Sequence, residues 1–183
     1  MRIYMFDTNV FNHILDGMAE LSGFVGRAKF YATHVQIDEL RKTSNEERRA
    51  ALFRVFEEVT NIKVPTESFV LNVSRLDEAK LGGEQPVPTE SAVWGVSKWG
   101  QSKWTPPDNL YEPIKSKLDE LNKSKPNNVE DALIAETAIK NGFTFVTHDG
   151  DLFRITTGFG GACSNIHQVL KDLTGVVSSR GDR

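Results

Sequence analysis

Short apolar blocks alternate with longer amphipathic stretches along this chain. Ile3-Tyr4-Met5-Phe6 is an unbroken apolar run closed by Asp7-Thr8-Asn9, which reads as a buried strand and not a helix. Val10, Phe11, Ile14, Leu15 and Met18 then recur at helical spacing, with Gly17 or Gly23 available to end the helix. Phe30 to Thr33 predicts a second strand, followed by a helix that carries Asp38 and Glu39. Asn45 to Val59 is the clearest helix. Asn45 can cap it, Glu46 and Glu47 suit its first turn, and Leu52, Val55, Phe56 and Val59 form one apolar stripe. Ile62 to Val64 predicts a third strand, placed at an edge by Pro65. Thr66 to Leu81 predicts a further helix with Phe69, Val70, Val73 and Leu76 inward.

The pattern then breaks. Residues from about 82 to 113 hold five of the seven prolines and all three tryptophans. Trp94, Trp99 and Trp104 recur every five residues, a period of neither helix nor strand, so the stretch reads as an ordered loop or hairpin-like insertion. Helical spacing resumes at Ile114 to Leu121. Asn127-Asn128 are placed to cap a helix that runs to Gly142, and Phe143 to Val146 reads as the fourth strand. Beyond Phe153 the pattern is looser, with a last strand at Cys163 to Ile166 and a last helical turn at Val169 to Leu173. Short strands alternating with helices predict an α/β fold with a mainly parallel sheet. We expect one domain over residues 1–177 and a disordered tail over 178–183.

Composition narrows the class. The chain has 183 residues, 39% hydrophobic and 26% charged, as in an ordinary globular domain. No apolar run is long enough to cross a bilayer, and Met1 to Asp7 is too short and too soon charged for a signal peptide, so a cytoplasmic location is expected. The single Cys163 excludes an internal disulfide and a cysteine-rich zinc site. A net charge of −3 argues against nucleic-acid binding by bulk charge, but not against a nuclease whose own acids bind cations.

The candidate chemistry lies at the strand ends. Asp7 and Asp149 follow strands, Glu39 lies just after one, and Asp131 occupies the first turn of the helix before another. In a parallel sheet these ends share an edge, where ligand sites gather. Singly, each acid has an ordinary explanation. Asp7 could be a turn residue, Asp131 a helix-dipole acid, Glu39 a partner of Arg41 or Lys42, and Asp149-Gly150 a turn. Together, four carboxylates at one edge repel one another unless a cation joins them. All-oxygen ligation suits Mg²⁺ or Mn²⁺ and not zinc. Such ions support in-line attack of water on a phosphodiester, so metal-assisted hydrolysis of a nucleic acid is the expected chemistry.

At the same residues the chain resembles the PIN-domain ribonucleases. The resemblance lies in Asp7-Thr8-Asn9, Glu39-Leu40, the run Asp131-Ala-Leu-Ile-Ala-Glu-Thr-Ala138, and Thr147-His-Asp149-Gly-Asp151-Leu-Phe153. It covers roughly Met1 to Leu81 and Asn127 to Ile166, outside the Trp/Pro-rich insertion. It implies a three-layer α/β/α sandwich around a mainly parallel sheet. It also implies metal ligation by Asp7, Glu39, Asp131 and Asp149, with Asp151 as an outer or second-metal acid and Asn9 and Thr147 as orienting residues. Many bacterial members resemble VapC toxins, which cut RNA and are silenced by a small antitoxin. An antitoxin partner is accordingly among the expectations; a homodimer is another, paired through the first helices or the Trp-rich segment.

The remaining polar residues divide less sharply. Arg41, Lys42, Lys98, Lys103 and Trp99 are candidates for RNA contact, but the favoured reading of the tryptophans packs the insertion onto the domain or onto a second subunit. Arg48, Arg49 and Arg54 extend the basic run as a solvated helix face. His148 reads as an exposed turn residue, and His13, His34 and His167 show no ligand spacing. Asp38 and Glu136 read as solvated or outer residues. The alternative to a nuclease is a PIN fold kept as a non-catalytic RNA- or protein-binding module. A phosphatase or phosphoryl-acceptor domain is disfavoured, because Asn9 stands where a second acid is needed.

Overall fold

The structure, a computed structural model, describes residues 1–24, 26–60, 62–80, 87–88, 103–105, 110–123 and 125–175. Its main sheet has five parallel strands in the order β3-β2-β1-β7-β8. These are β1 (Arg2–Phe6), β2 (Ala28–Ala32), β3 (Ile62–Lys63), β7 (Thr144–Val146) and β8 (Cys163–Ser164). The helices are α1 (Thr8–Leu15), α2 (His34–Arg41), α3 (Glu46–Val59), α4 (Tyr111–Asn122), α5 (Asn128–Lys140), α6 (Gly150–Gly158) and α7 (Ile166–Thr174).

Side-chain alternation along β1 divides the interior into two cores. Tyr4 and Phe6 pack with Phe30 of β2, Val10 and Phe11 of α1, Leu52 and Phe56 of α3, and Val169 of α7. Met5 points to the other face and packs with Ile114 and Leu118 of α4, Leu133 and Ile134 of α5, Phe145 of β7 and Ile155 of α6. Helices therefore cover both faces, and the fold is a three-layer α/β/α sandwich. The near-continuous apolar run of β1 follows from burial on both sides. Because α5 is enclosed, its Ala132 to Ala138 are buried throughout, polar residues included.

Register aligns the strand ends. Met5 pairs with Tyr31, Phe6 pairs with Val146, and the Asp7 N–H donates to the Val146 carbonyl at 2.9 Å. Helix α2 is fastened to the same edge. The Gln36 side-chain carbonyl accepts from the Thr33 N–H (2.9 Å) and hydroxyl (2.6 Å), and its amide donates to the Phe6 carbonyl at 2.8 Å. Gln36 thus ties the end of β1 to the start of α2, one turn before Glu39.

Four expectations need correction. The helix expected over Thr66 to Leu81 does not form in its described part, Thr66 to Lys80, which holds β4 (Phe69–Val70), turns and an isolated Thr66–Ala79 bridge, with Leu76 74% exposed. Local side-chain bonds compete with the helix here, the Thr66 hydroxyl donating to Ser68 O and Ser74 Oγ accepting from Val70 N, while Asn72 takes a positive φ of 67°. The chain after Phe153 is not loose, because Asp149 caps α6 and Leu152, Ile155 and Thr156 bury one face of it. The final helical turn is a nine-residue helix, capped by Asn165 on Gln168 N–H. The first helix stops at Leu15, which leaves Met18 exposed.

The insertion contributes β5 (Val87–Pro88) and β6 (Lys103–Thr105), which with β4 form a separate antiparallel sheet in the order β4-β6-β5. Trp104 lies on β6 and pairs with Phe69 by backbone. Trp94, Lys98 and Trp99, with the tail over 178–183, lie outside the described residues.

Replacing Gln36 by Ala should strand the Phe6 carbonyl and the Thr33 N–H in a water-free position. The expected loss is about 2–4 kcal/mol of stability, measured by urea unfolding. A change under about 0.5 kcal/mol would show that the fastening carries no weight.

Candidate metal centre

The C-terminal edge of the main sheet gathers residues from four separate segments. Asp7 leaves β1 and is 4% exposed. Its Oδ2 accepts from Asn9 Nδ2 at 2.5 Å and from Thr147 Oγ1 at 2.6 Å. Burial, reinforced by the nearby Asp149, pushes its carboxyl up to about 6. Thr147 follows β7 directly, and its hydroxyl oxygen also accepts the Asp149 N–H at 3.0 Å. One threonine hydroxyl thus sets Asp7 and Asp149 relative to each other across two neighbouring strands. Asn9 braces the same corner, accepting the His148 N–H at 3.4 Å.

Glu39 comes from the last turn of α2. Its Oε2 accepts from the Thr8 hydroxyl. Burial first, then repulsion by Asp7 and Glu130, raises its carboxyl to about 7 against the opposing pull of Lys42. Asp131 comes from the first turn of α5. The expected capping by Asn127-Asn128 is not made: Asn127 donates instead to Asp131 Oδ2 at 3.0 Å, and buried Asn128 bonds to Asp119 and Asn122 of α4. Asp131 is the most perturbed of the set, raised to about 9 by burial first and then by Asp7, Glu39, Asp149 and Glu130. Asp149 spends Oδ1 as the N-cap of α6, accepting from Asp151 N at 2.9 Å and Leu152 N at 3.0 Å.

The structure therefore brings Asp7, Glu39, Asp131 and Asp149 to one edge, with Asn9 and Thr147 holding Asp7. Asp151, one residue into α6, is partly exposed and pairs with Arg154 at 3.1 Å. Arg41 pairs with Asp38 at 2.9 Å, and Arg48 with Asp16 at 2.9 Å, so within the basic run it is Lys42 that faces the acids. Among the described residues no three histidine, cysteine or acidic side chains form a ready cation cage. The oxygens of Asp7, Glu39, Asp131 and Asp149 are instead bonded to Asn9, Thr147, Thr8, Asn127 and the start of α6. The donor chemistry nonetheless fits a hard divalent cation. All donors are carboxylate oxygens, and three of the acids are held above their usual range by burial and mutual repulsion, which a bound positive charge relieves.

Three features escaped the sequence. Glu130 reaches the edge and pairs with Lys42 at 2.8 Å; its signal was only its position beside Asp131. His13, His148 and His167 meet, with ring centroids 4.0 and 5.9 Å apart, although they come from three elements. Glu136 is not solvated but fully buried, and accepts the Leu110 and Tyr111 N–H groups at the start of α4 at 3.2 and 3.3 Å. A cleft of about 500 Å³ between Arg2, Tyr4, Thr144 and Asp172 lies at the opposite edge of the sheet.

No family model and no curated protein matches the chain. Solved structures do. PAE2754 from Pyrobaculum aerophilum superposes over 95% of this chain and 98% of its own, with a TM-score of 0.50 and 13% identity. The two chains share a fold. VapBC2 from Rickettsia felis, solved bound to a DNA fragment from its promoter, covers 89% of this chain and 98% of its own at 15% identity and a TM-score of 0.48. VapBC-5 from Mycobacterium tuberculosis covers 91% and 98% at 19% identity and a TM-score of 0.40. At such identities the likeness concerns the fold alone.

The raised carboxyls set the sign of a pH effect. Asp7, Glu39 and Asp131 hold protons in the folded protein at pH values where the unfolded chain releases them, so stability falls as pH rises through the window from about 4 to about 9. In EDTA, thermal unfolding should show that decline. Asp131→Asn should raise stability at pH 8 by about 1–3 kcal/mol. Stability that is flat or rising over this window would refute the electrostatic account.

Proposed function

We propose that this protein is a Mg²⁺- or Mn²⁺-dependent endoribonuclease that hydrolyses RNA phosphodiester bonds. The observation that carries the reading is the convergence of four carboxylates, from β1, α2, α5 and the β7–α6 turn, at one edge of a PIN-like sheet. Asp7, Glu39, Asp131 and Asp149 would hold the cation. A divalent ion there supplies an activated water and stabilises charge on the phosphodiester oxygens.

The chain's own residues account for the rest. Thr147 and Asn9 fix one oxygen of Asp7, which restricts its rotation. Asn127 does the same for Asp131, and the α6 N-terminus for Asp149. Such bracing by neighbouring polar groups is what gives an acidic site its geometry. Lys42, beside Glu39 and paired with Glu130 at 2.8 Å, brings positive charge to the rim of the acidic edge.

The same acidic motifs support a narrower reading, in which the chain is the toxin of a pair and a small antitoxin protein silences it. That reading predicts a short reading frame beside its gene whose product binds this protein and stops cleavage. A neighbouring product that binds without inhibiting would contradict it.

Asp7→Asn and Asp131→Asn should each lower metal-dependent RNA cleavage by roughly a hundredfold or more, because each removes a charged ligand without loss of volume. Circular dichroism should show the fold unchanged. Full activity in either variant, or in EDTA, would overturn the proposal in favour of a binding module without turnover.

A further inference from the structure

A second cleft, of about 410 Å³, opens directly off the acidic edge and is lined by Glu39, Lys42, Thr43, Pro126, Asn127 and Glu130. Its volume lies in the range of small-molecule sites. One wall is the end of α2, and the other is the turn that leads into α5. Lys42 Nζ and Glu130 Oε1 are 2.8 Å apart within it. The Glu130 side chain is only 13% exposed, whereas Lys42 reaches into solvent at 66%. The cleft therefore presents a shielded carboxylate beside a solvent-exposed ammonium group. The Glu130 carboxylate in the lining suits a group that donates N–H bonds.

We propose that this cleft receives the nucleobase next to the scissile phosphate and selects guanine; the proposal rests on the endoribonuclease reading. The reason is the order of donors and acceptors on the base edge. Guanine alone among the four bases carries two adjacent N–H donors, at N1 and the 2-amino group, and these match the two oxygens of one carboxylate. Its O6 acceptor lies beside them, where Lys42 already neighbours Glu130. Adenine and cytosine offer one exocyclic amino group each, and uracil a single ring N–H. Recognition of an unpaired base by its Watson–Crick edge is the usual route to sequence preference in RNA. Pro126 supplies an apolar surface for the ring face.

A good bidentate contact discriminates by about 10- to 100-fold. Cleavage of a randomised RNA in Mg²⁺ should therefore place guanine at one fixed position beside the cut with that preference. Inosine there, which lacks the 2-amino group, should lose most of it, and Glu130→Gln should reduce the preference to under tenfold. Equal cleavage at all four bases, or a guanine preference unchanged in Glu130→Gln, overturns the proposal.

Binding separates the two readings. Titration of the Asp7→Asn protein with GMP and AMP in Mg²⁺, followed by NMR, should favour GMP and shift the Thr43 and Glu130 amides. Equal binding of the two nucleotides overturns the guanine pocket even if RNA is cut. Selective GMP binding that Glu130→Gln abolishes, with RNA left intact by the native protein, supports the pocket and overturns the nuclease reading instead.

Discussion

Repulsion among buried carboxylates is the constraint on which the arrangement of this protein turns. Asp7, Glu39 and Asp131 are covered by protein yet crowded together, and burial and proximity both act against their charge. Such a cluster persists only if other interactions hold its members in place. The parallel register does part of this, since Phe6 and Val146 are partners and set Asp7 beside Thr147. Gln36 does another part, binding the Phe6 carbonyl from the helix that carries Glu39. The Thr147 hydroxyl completes it by accepting from Asp149 while donating to Asp7.

The stability that offsets this repulsion comes from the two cores. On one face the rings of Tyr4, Phe6, Phe11, Phe30 and Phe56 pack in succession, with centroids 5.1 to 5.8 Å apart. On the other face α5 is buried on nearly all sides, which clamps Asp131 rigidly at its first turn. Even the polar residues of α5 are used structurally. Glu136 caps α4, and the Thr137 hydroxyl accepts the Glu67 N–H from the segment before β4. Stability is thus generated across the sheet and expended at one edge, the distribution expected of a functional site.

Much of this was legible in residue order. The strands at Ile3–Phe6 and Phe143–Val146 announced themselves by apolar runs that stop at polar residues, and α3 by its cap and stripe. The helix expected over Thr66–Leu81 failed because periodicity is blind to the local bonds of Thr66 and Ser74 and to the left-handed Asn72. α6 was missed because Asp149-Gly150 signals a turn and a helix cap equally well. Its capping bonds to Asp151 and Leu152 exist only once the chain has turned. Spacing sets Asp151 near the other acids but does not show its ion pair with Arg154.

By itself the sequence determined where the acids stand, because strand ends and helix first turns are local features and the acids occupy them. It also determined the fold class, through alternating short apolar runs and amphipathic helices. Tertiary structure alone decided how those residues meet. The pairing of Lys42 with Glu130, the meeting of His13, His148 and His167, and the burial of Glu136 each join segments with no sequence relation. The degree to which each carboxyl is perturbed was decided the same way. Desolvation and Coulomb repulsion depend on distance and burial in space, and neither is a property of order along the chain.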